Sequence, residues 1–285
     1  MKHTIKYFAA ALAVLMLAVA LAAGCGPEPV EVRIRKAVDN LEQAKSYDMV
    51  MEGSMTMKTM GLPVSTKISV EASYFADPMK MRMVTTTKAM GESMAIEQYI
   101  IAEGDAFIVY QKSEDGWTKQ EMSMLFDLDA LKQYSASKNL EFYVKSAANF
   151  EKVGTEKIDG VSTDVLEGFI AAAQMQDLMD DVLGMMNMQT LTEDPVVAEL
   201  VRAMFGNMQD VPLKLWIDPR TYMPVQYYMD MTETMNAMMG VVFGMMPQGE
   251  LDGFSLEVTN YTMTTRITNV NKATDFTLPA AALAL

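Results

Sequence analysis

Few residues in this chain have side chains suited to chemistry: one cysteine, one histidine, four sets of close carboxylates and thirty methionines. Cys25 is the single thiol in 285 residues and directly follows Leu21-Ala22-Ala23-Gly24. A lone thiol serves for alkylation or acylation, and it excludes both an intrachain disulfide and a dithiol redox pair. Close carboxylates can divide the work of general acid and base. Here they are Glu114-Asp115, Asp127 with Asp129, Asp180-Asp181 and Glu193-Asp194. All fall at predicted turns, helix starts or polar helix faces, where acidic residues commonly serve structure. No phosphate-cradling glycine loop and no EF-hand spacing is present. His3 lies in the basic N-terminal stretch, and its removal would leave no imidazole. A Ser-His-Asp or Cys-His nucleophile and an imidazole or thiolate zinc site are then excluded. Neither an enzyme nor a cofactor is expected.

The elements around Cys25 explain its placement. Lys2 and Lys6 precede an apolar core from Tyr7 to Ala20, too short to span a bilayer comfortably and of the form of a secretory signal. Ala22-Ala23-Gly24-Cys25 resembles the lipobox of bacterial lipoproteins. That resemblance implies a diacylglyceryl thioether on Cys25, cleavage before it, and an acylated new N-terminus, with chains such as palmitate. Two or more acyl chains suffice for stable anchoring. The alternative is a plain secretory signal with a free cysteine. The expected organisation is therefore a signal peptide over 1–24, a lipidated tether over 25–30 and one β-rich domain over 31–285, held at the outer face of the cell membrane. The formal charge of −14 becomes −16 once the signal takes Lys2 and Lys6 with it. That balance argues against nucleic acid as a partner and against electrostatic adhesion to anionic lipid head groups, leaving the domain held at the membrane by its acyl chains alone.

The methionines follow a strand period. Met49, Met51, Met55 and Met57 share one parity, while Asp48, Glu52, Ser54, Thr56 and Lys58 hold the other. Alternate side chains of a strand face opposite ways, so this is a half-buried strand with a methionine face. Met79, Met81 and Met83 repeat the pattern against Lys80 and Arg82, and Val64–Tyr74, with Ile68 and Val70, does so against Ser65, Lys67, Ser69 and Glu71. Further strands are predicted at Ser93–Ile101, Asp105–Tyr110, Thr118–Met122, Glu151–Ile158, Val161–Phe169, Leu213–Ile217, Pro224–Met235 and Phe254–Ile267. Turns are expected at Gly61 to Pro63, Asp77-Pro78, 103–105, 115–116 and Asp159-Gly160. Short connections imply an antiparallel meander, apolar on one side and wet on the other.

Helical periods interrupt the meander at Val30–Lys45, Asp127–Phe150, Ala171–Met186 and after Asp194-Pro195. In the third, Met175, Leu178, Met179, Val182 and Met186 form one stripe. Covering the methionine face with these helices gives an α+β fold: a single curved antiparallel sheet, an open half-barrel, with helices on its concave face. Segment 236–249 is too apolar for a solvated loop. Met238, Met239, Val242, Phe243, Met245 and Met246 make it either a lid over a cavity mouth or one more core helix.

Two segments carry a family resemblance. Leu41–Met49 runs from a helix into the first methionine strand, and Trp216-Ile217-Asp218-Pro219-Arg220-Thr221-Tyr222-Met223-Pro224-Val225 is a strand-turn-strand with Asp-Pro at its turn. With Gly116-Trp117-Thr118-Lys119 they resemble the LolA/LppX-type lipoprotein superfamily, and more narrowly the methionine-rich surface lipoproteins of Gram-positive bacteria. The resemblance implies a half-barrel whose concave face holds acyl chains of lipids or lipoproteins, with no catalytic residue. Because methionine is unbranched and adaptable, the residues also fit a deformable cavity. Its lining would come from Met49, Met51, Met55, Met57, Ile68, Val70, Met79, Met81, Met83, Met175, Leu178, Met179 and Val182. The expected function is a membrane-anchored, non-catalytic carrier or acceptor of a hydrophobic ligand, most simply lipid. The alternatives are a structural or sensory envelope lipoprotein whose methionines merely fill its core, and Cu(I) binding by thioethers. Protein partners are not specified by the sequence.

Overall fold

A computed structural model of the chain describes residues 28–103, 106–113, 116–122, 140, 143–174, 203, 206–245 and 255–284. The carboxylate sets, Cys25, the helical stripe from Met175 to Met186 and the segment 246–249 lie outside the described residues. Eleven strands form one open antiparallel sheet. They are β1 Ser46–Thr59, β2 Leu62–Ala76, β3 Met79–Ala89, β4 Glu92–Glu103, β5 Ala106–Ser113, β6 Gly116–Met122, β7 Glu151–Ile158, β8 Val161–Ile170, β9 Val211–Ile217, β10 Pro224–Asp230 and β11 Leu256–Thr268. Their spatial order is β6-β5-β4-β3-β2-β1-β11-β10-β9-β8-β7. The chain thus lays down one half of the half-barrel as a meander, and the last strand closes the second half against the first, β11 pairing β1 from Asp48↔Thr268 to Thr59↔Leu256. The edge strand β7 reads Glu-Lys-Val-Gly-Thr-Glu-Lys-Ile, and charge along an edge opposes pairing with another chain.

Helix α1 (Val30–Glu42) buries Ile34, Ala37, Val38 and Leu41. That stripe meets Leu166, Leu213, Leu215, Tyr227 and Ile267 from the concave face, where full burial of each aliphatic side chain contributes about 1.5–3 kcal/mol. The helix stops three residues before the predicted Lys45, because Ser46 is already the first residue of β1. Tyr143 is enclosed in the same core. Its hydroxyl donates to the Tyr228 carbonyl at 3.1 Å, and its ring meets those of Phe150 and Tyr227. Burial pushes this phenol well above its ordinary pKa.

Three further features differ from the sequence expectations. The strand predicted over Pro224–Met235 ends at Asp230, and helix α2 (Thr232–Met245) follows. Asp230 Oδ1 accepts the Thr232 N–H at 3.0 Å, and such a side-chain cap starts a helix where period-2 reading sees continuation. The first hairpin turns at Met60-Gly61, not at Gly61 to Pro63, since Leu62 and Pro63 pair with Thr59 and Lys58. Lastly, the second face is not wet throughout. Tyr99, Ile108 and Tyr110 on it are buried beneath the C-terminal segment, with Phe276, Leu278 and Ala282 against them. The runs Tyr99-Ile100-Ile101 and Phe107–Tyr110 are apolar at both parities, as strands covered on both faces are. Lys80 fastens this strap through an ion pair to Asp275 (2.5 Å) and a hydrogen bond to the Phe276 carbonyl (3.2 Å).

Candidate functional site

Register brings the described cavity candidates onto one face. Met49 stands opposite Ala72 on β2 and Ile267 on β11, Met51 opposite Val70 and Thr265, Met55 opposite Thr66 and Tyr261, and Met57 opposite Val64 and Val258. Through Ala72↔Met83 and Tyr74↔Met81 the face continues onto β3 with Met79, Met81 and Met83, and onto β4 with Ile96, Gln98 and Ile100.

Burial divides this face into two regions. Near α1 it is closed: Tyr47 and Ile267 are buried, and Met49 packs on them. Val70 and Met81 are buried too. Farther along the strands Met51, Met55 and Met57 are only half-buried, as is Met83 in the row of Met49, and Ile68 remains 39% exposed. Between Met51 and Met55 the row carries Gly53, opposite Ile68. A Cβ added there would meet nothing nearer than Ile68 at 3.8 Å. Gly53 is not among the residues expected from the sequence, although a glycine inside a methionine strand is the signal of a side chain withheld. Gln98 and Gln111 also lie on this face, where Gln98 Nε2 donates to Gln111 Oε1 at 2.9 Å.

Helix α2 borders the region. Its first half is fastened to β11: Asn236 exchanges two hydrogen bonds with the Val258 backbone (2.7 and 2.8 Å), and the Tyr261 N–H donates to Thr232 Oγ1 (2.9 Å). Thr234 is buried and donates to the Gln209 carbonyl at 3.2 Å. Its second half holds the lid candidates Met238, Met239, Val242 and Phe243, all half-buried, and Met238 reaches the main core. Met245 closes the helix, and Met246 lies outside the described residues. The helix is therefore tied at one end and apolar at the other.

The charged groups near the methionine face serve attachment. Asp164 on β8 is buried and pairs with both Arg33 of α1 and Lys152 of β7, the latter at 2.7 Å. Glu28 in turn pairs with Lys36 at 2.5 Å, and Lys36 stands 4.2 Å over the Tyr222 ring. Hydrogen bonds from Lys36 and Tyr222 hold the Glu28 carboxyl below its ordinary pKa. The start of α1 is thereby fixed to the turn between β9 and β10. On the other face Arg82 bonds Glu97 (2.8 Å) and Tyr99 (3.2 Å). Among the described residues no group of three His, Cys, Asp or Glu side chains gathers as a metal site, and no helix is long and apolar enough to cross a membrane.

The sequence from residue 30 to residue 284 matches a family described as a family of unknown function, DUF6612. The chain belongs to that family. No curated protein matches it by sequence. Among solved structures it is similar to the lipoprotein LppX of Mycobacterium tuberculosis, with 15% identity over 86% of this chain and 97% of that one and a TM-score of 0.43. It is also similar to LprF from Mycobacterium bovis, at 15% identity over 88% and 97% with a TM-score of 0.47. A LolA superfamily protein from Nitrosomonas europaea matches at 10% identity over 88% and 96%, with a TM-score of 0.20. The functional reading of this DUF6612 chain rests on its own residues.

Proposed function

We propose that this protein is a lipid-anchored extracytoplasmic lipoprotein that holds a hydrophobic ligand, acyl chains of lipid, against the methionine face, and that it catalyses no reaction. The observation that carries the reading is the half-exposed region around Gly53, with Met51, Met55 and Met57 along the same strand and Ile68 opposite. A core built only for stability closes to native density. This region instead leaves flexible thioethers short of burial beside an empty glycine position. Each ligand methylene buried there contributes about 0.8 kcal/mol, enough for retention without any charged contact. Segment 236–249 acts as the lid, hinged where Asn236 is fastened to β11. Residues 1–24 are the signal and Cys25 is the lipidated residue. The anchor keeps the binding face near a membrane source of ligand.

The test is native mass spectrometry and solvent extraction of residues 26–285, comparing the unaltered chain with Gly53→Leu. The backbone at Gly53 requires no positive φ and a Cβ there meets nothing nearer than 3.8 Å, so the leucine side chain extends into the gap, and the melting temperature of the variant checks that the fold is kept. Co-purifying lipid that is lost in Gly53→Leu is expected. An empty, compact monomer in both would favour a structural or sensory lipoprotein, and stoichiometric copper would favour thioether coordination.

A further inference from the structure

The tether expected over residues 25–30 is shorter in the structure, because residues 28–30 already belong to the fold. Val30 opens α1, and the Pro29 carbonyl accepts the N–H groups of Val32 and Arg33 at 3.1 and 3.3 Å. Glu28 pairs with Lys36 at 2.5 Å and stands 3.9 Å from Arg33, with 24% of its side chain reaching solvent. Lys36 in turn covers the Tyr222 ring of the β9–β10 turn. Gly26 and Pro27 alone remain between this fixed point and Cys25. Fully extended chain from Glu28 reaches Cys25 within about 11 Å. Pro27 and Pro29 also make the segment a stiff spacer rather than a loose one.

This fixed point sits at one end of the sheet. The β9–β10 turn shares that end with the start of β1 and with the turns at Asp77-Pro78 and Asp159-Gly160. Helix α1 lies beside it as far as Asn40, whose amide donates to the Thr221 carbonyl at 2.8 Å. The Met60-Gly61 and Met90-Gly91 turns close the opposite end. Along β1, which starts at Ser46, Gly53 stands about 23 Å from the anchor end and Met60 about 46 Å, at about 3.3 Å per residue. Two orientations satisfy so short a tether: the domain stands on its anchor end or lies along the bilayer. Charge separates them. The formal charge, −14 for the whole chain, is −16 without Lys2 and Lys6, and an anionic leaflet repels such a body. Lying flat holds its whole length against the leaflet, whereas standing leaves all but one end beyond the screening distance of about 8 Å. The anchor end itself is mixed, with Arg35 and Arg220 exposed beside Glu31 and Asp39, so the length of the tether sets the contact.

We propose that the anchor end, the β9–β10 turn with the start of α1, is the membrane-facing surface of this protein, and that the Gly53 region and the Met60 and Met90 turns are directed away from the bilayer. The orientation rests on acylation of Cys25, the anchor already proposed. It places the methionine face near the membrane but not in it. A ligand drawn from the anchoring bilayer has to leave that bilayer to reach Gly53, so exchange takes place clear of the lipid surface.

The experiment uses the full chain, processed in a bacterial host and reconstituted into vesicles of phosphatidylcholine and phosphatidylglycerol, with an acceptor dye on a fraction of the headgroups. Acylation consumes the Cys25 thiol, so Arg220→Cys or Met90→Cys supplies the one free thiol for a donor dye. Both positions are exposed, Met90 at 84%. Energy transfer from position 220 is expected to exceed that from position 90 several-fold. Inserting about ten Gly and Ser residues between Pro27 and Glu28 adds a flexible reach of about 17 Å, and the two signals should then converge. Equal or reversed transfer in the acylated chain, or a difference that the longer tether leaves undiminished, would overturn the orientation alone. Mass spectrometry of the same sample tells this apart from failure of the anchor, since an unmodified Cys25 would overturn both.

Discussion

Replacing Asp164 by asparagine should cost about 2–3 kcal/mol, although the two side chains have almost the same shape. Asp164 holds a different cation at each oxygen, Arg33 at one and Lys152 at the other, and only 5% of its side chain reaches solvent. Breaking a fully buried pair by removing one partner costs about 3–5 kcal/mol. Arg33 is 20% exposed and Lys152 is 40% exposed. Water therefore screens part of what each loses, and the lower figure follows. For a domain of this length that corresponds to a melting temperature lower by about 5–10 °C. Urea unfolding of the asparagine variant, beside Arg33→Gln and Lys152→Gln, measures the cost and its division. Arg33→Gln should cost more than Lys152→Gln, because Arg33 is the better-shielded partner and alone joins α1 to β8. A loss under about 0.5 kcal/mol for Asp164→Asn, the value of an ordinary surface pair, would refute the reasoning. So would the reverse order of the two cation variants.

Other outcomes follow from the same geometry. Gly168→Ala should destabilise by about 2 kcal/mol or more in the same assay, since its Cβ would come 2.6 Å from the Phe150 ring and 2.8 Å from the Asn149 carbonyl. Phe276→Ala should cost about 2 kcal/mol by uncovering Tyr99 and Phe75, whose rings it meets at 5.6 and 5.7 Å, with enhanced binding of an apolar dye to the second face. Burial alone would raise the Glu97 pKa, but hydrogen bonds from Arg82 and Tyr99 outweigh it and hold the carboxyl below its ordinary value. A depressed carboxyl stabilises the fold above its unfolded pKa and loses that contribution as pH falls through the folded value. The melting-temperature deficit of Glu97→Gln should therefore be present at neutral pH and vanish in acid.

The sheet was legible because its strands alternate strictly: Met49 to Met57 and Met79 to Met83 keep one parity against charged neighbours, and a one-residue slip would expose every methionine. Asp159-Gly160 was legible for the same kind of reason, being the turn that its backbone demands. What escaped depends on contacts between distant segments. Nothing local in Asp230-Met231-Thr232 distinguishes a strand from a capped helix until Asn236 meets Val258. The strap over Tyr99 and Tyr110 needs Phe276, some 170 residues later in the chain. The open region around Gly53 could be read as a gap only after register placed Ile68 across from it. The turn at Met60 was missed because Pro63 is the stronger turn signal, yet it fits here as an early strand residue opposite Lys58.

The central claim, that the methionine face receives the ligand, is tested most directly by the thioether methyls themselves. Residues 26–285 carrying methyl-¹³C methionine, freed of lipid, would be titrated with a spin-labelled fatty acid kept below micelle formation. The account predicts that the methyl signals of Met51, Met55, Met57 and Met83 broaden first, and that Gly53→Leu protects them. Signals from these four that stay sharp while the fatty acid binds, or broadening that Gly53→Leu leaves unchanged, would contradict it.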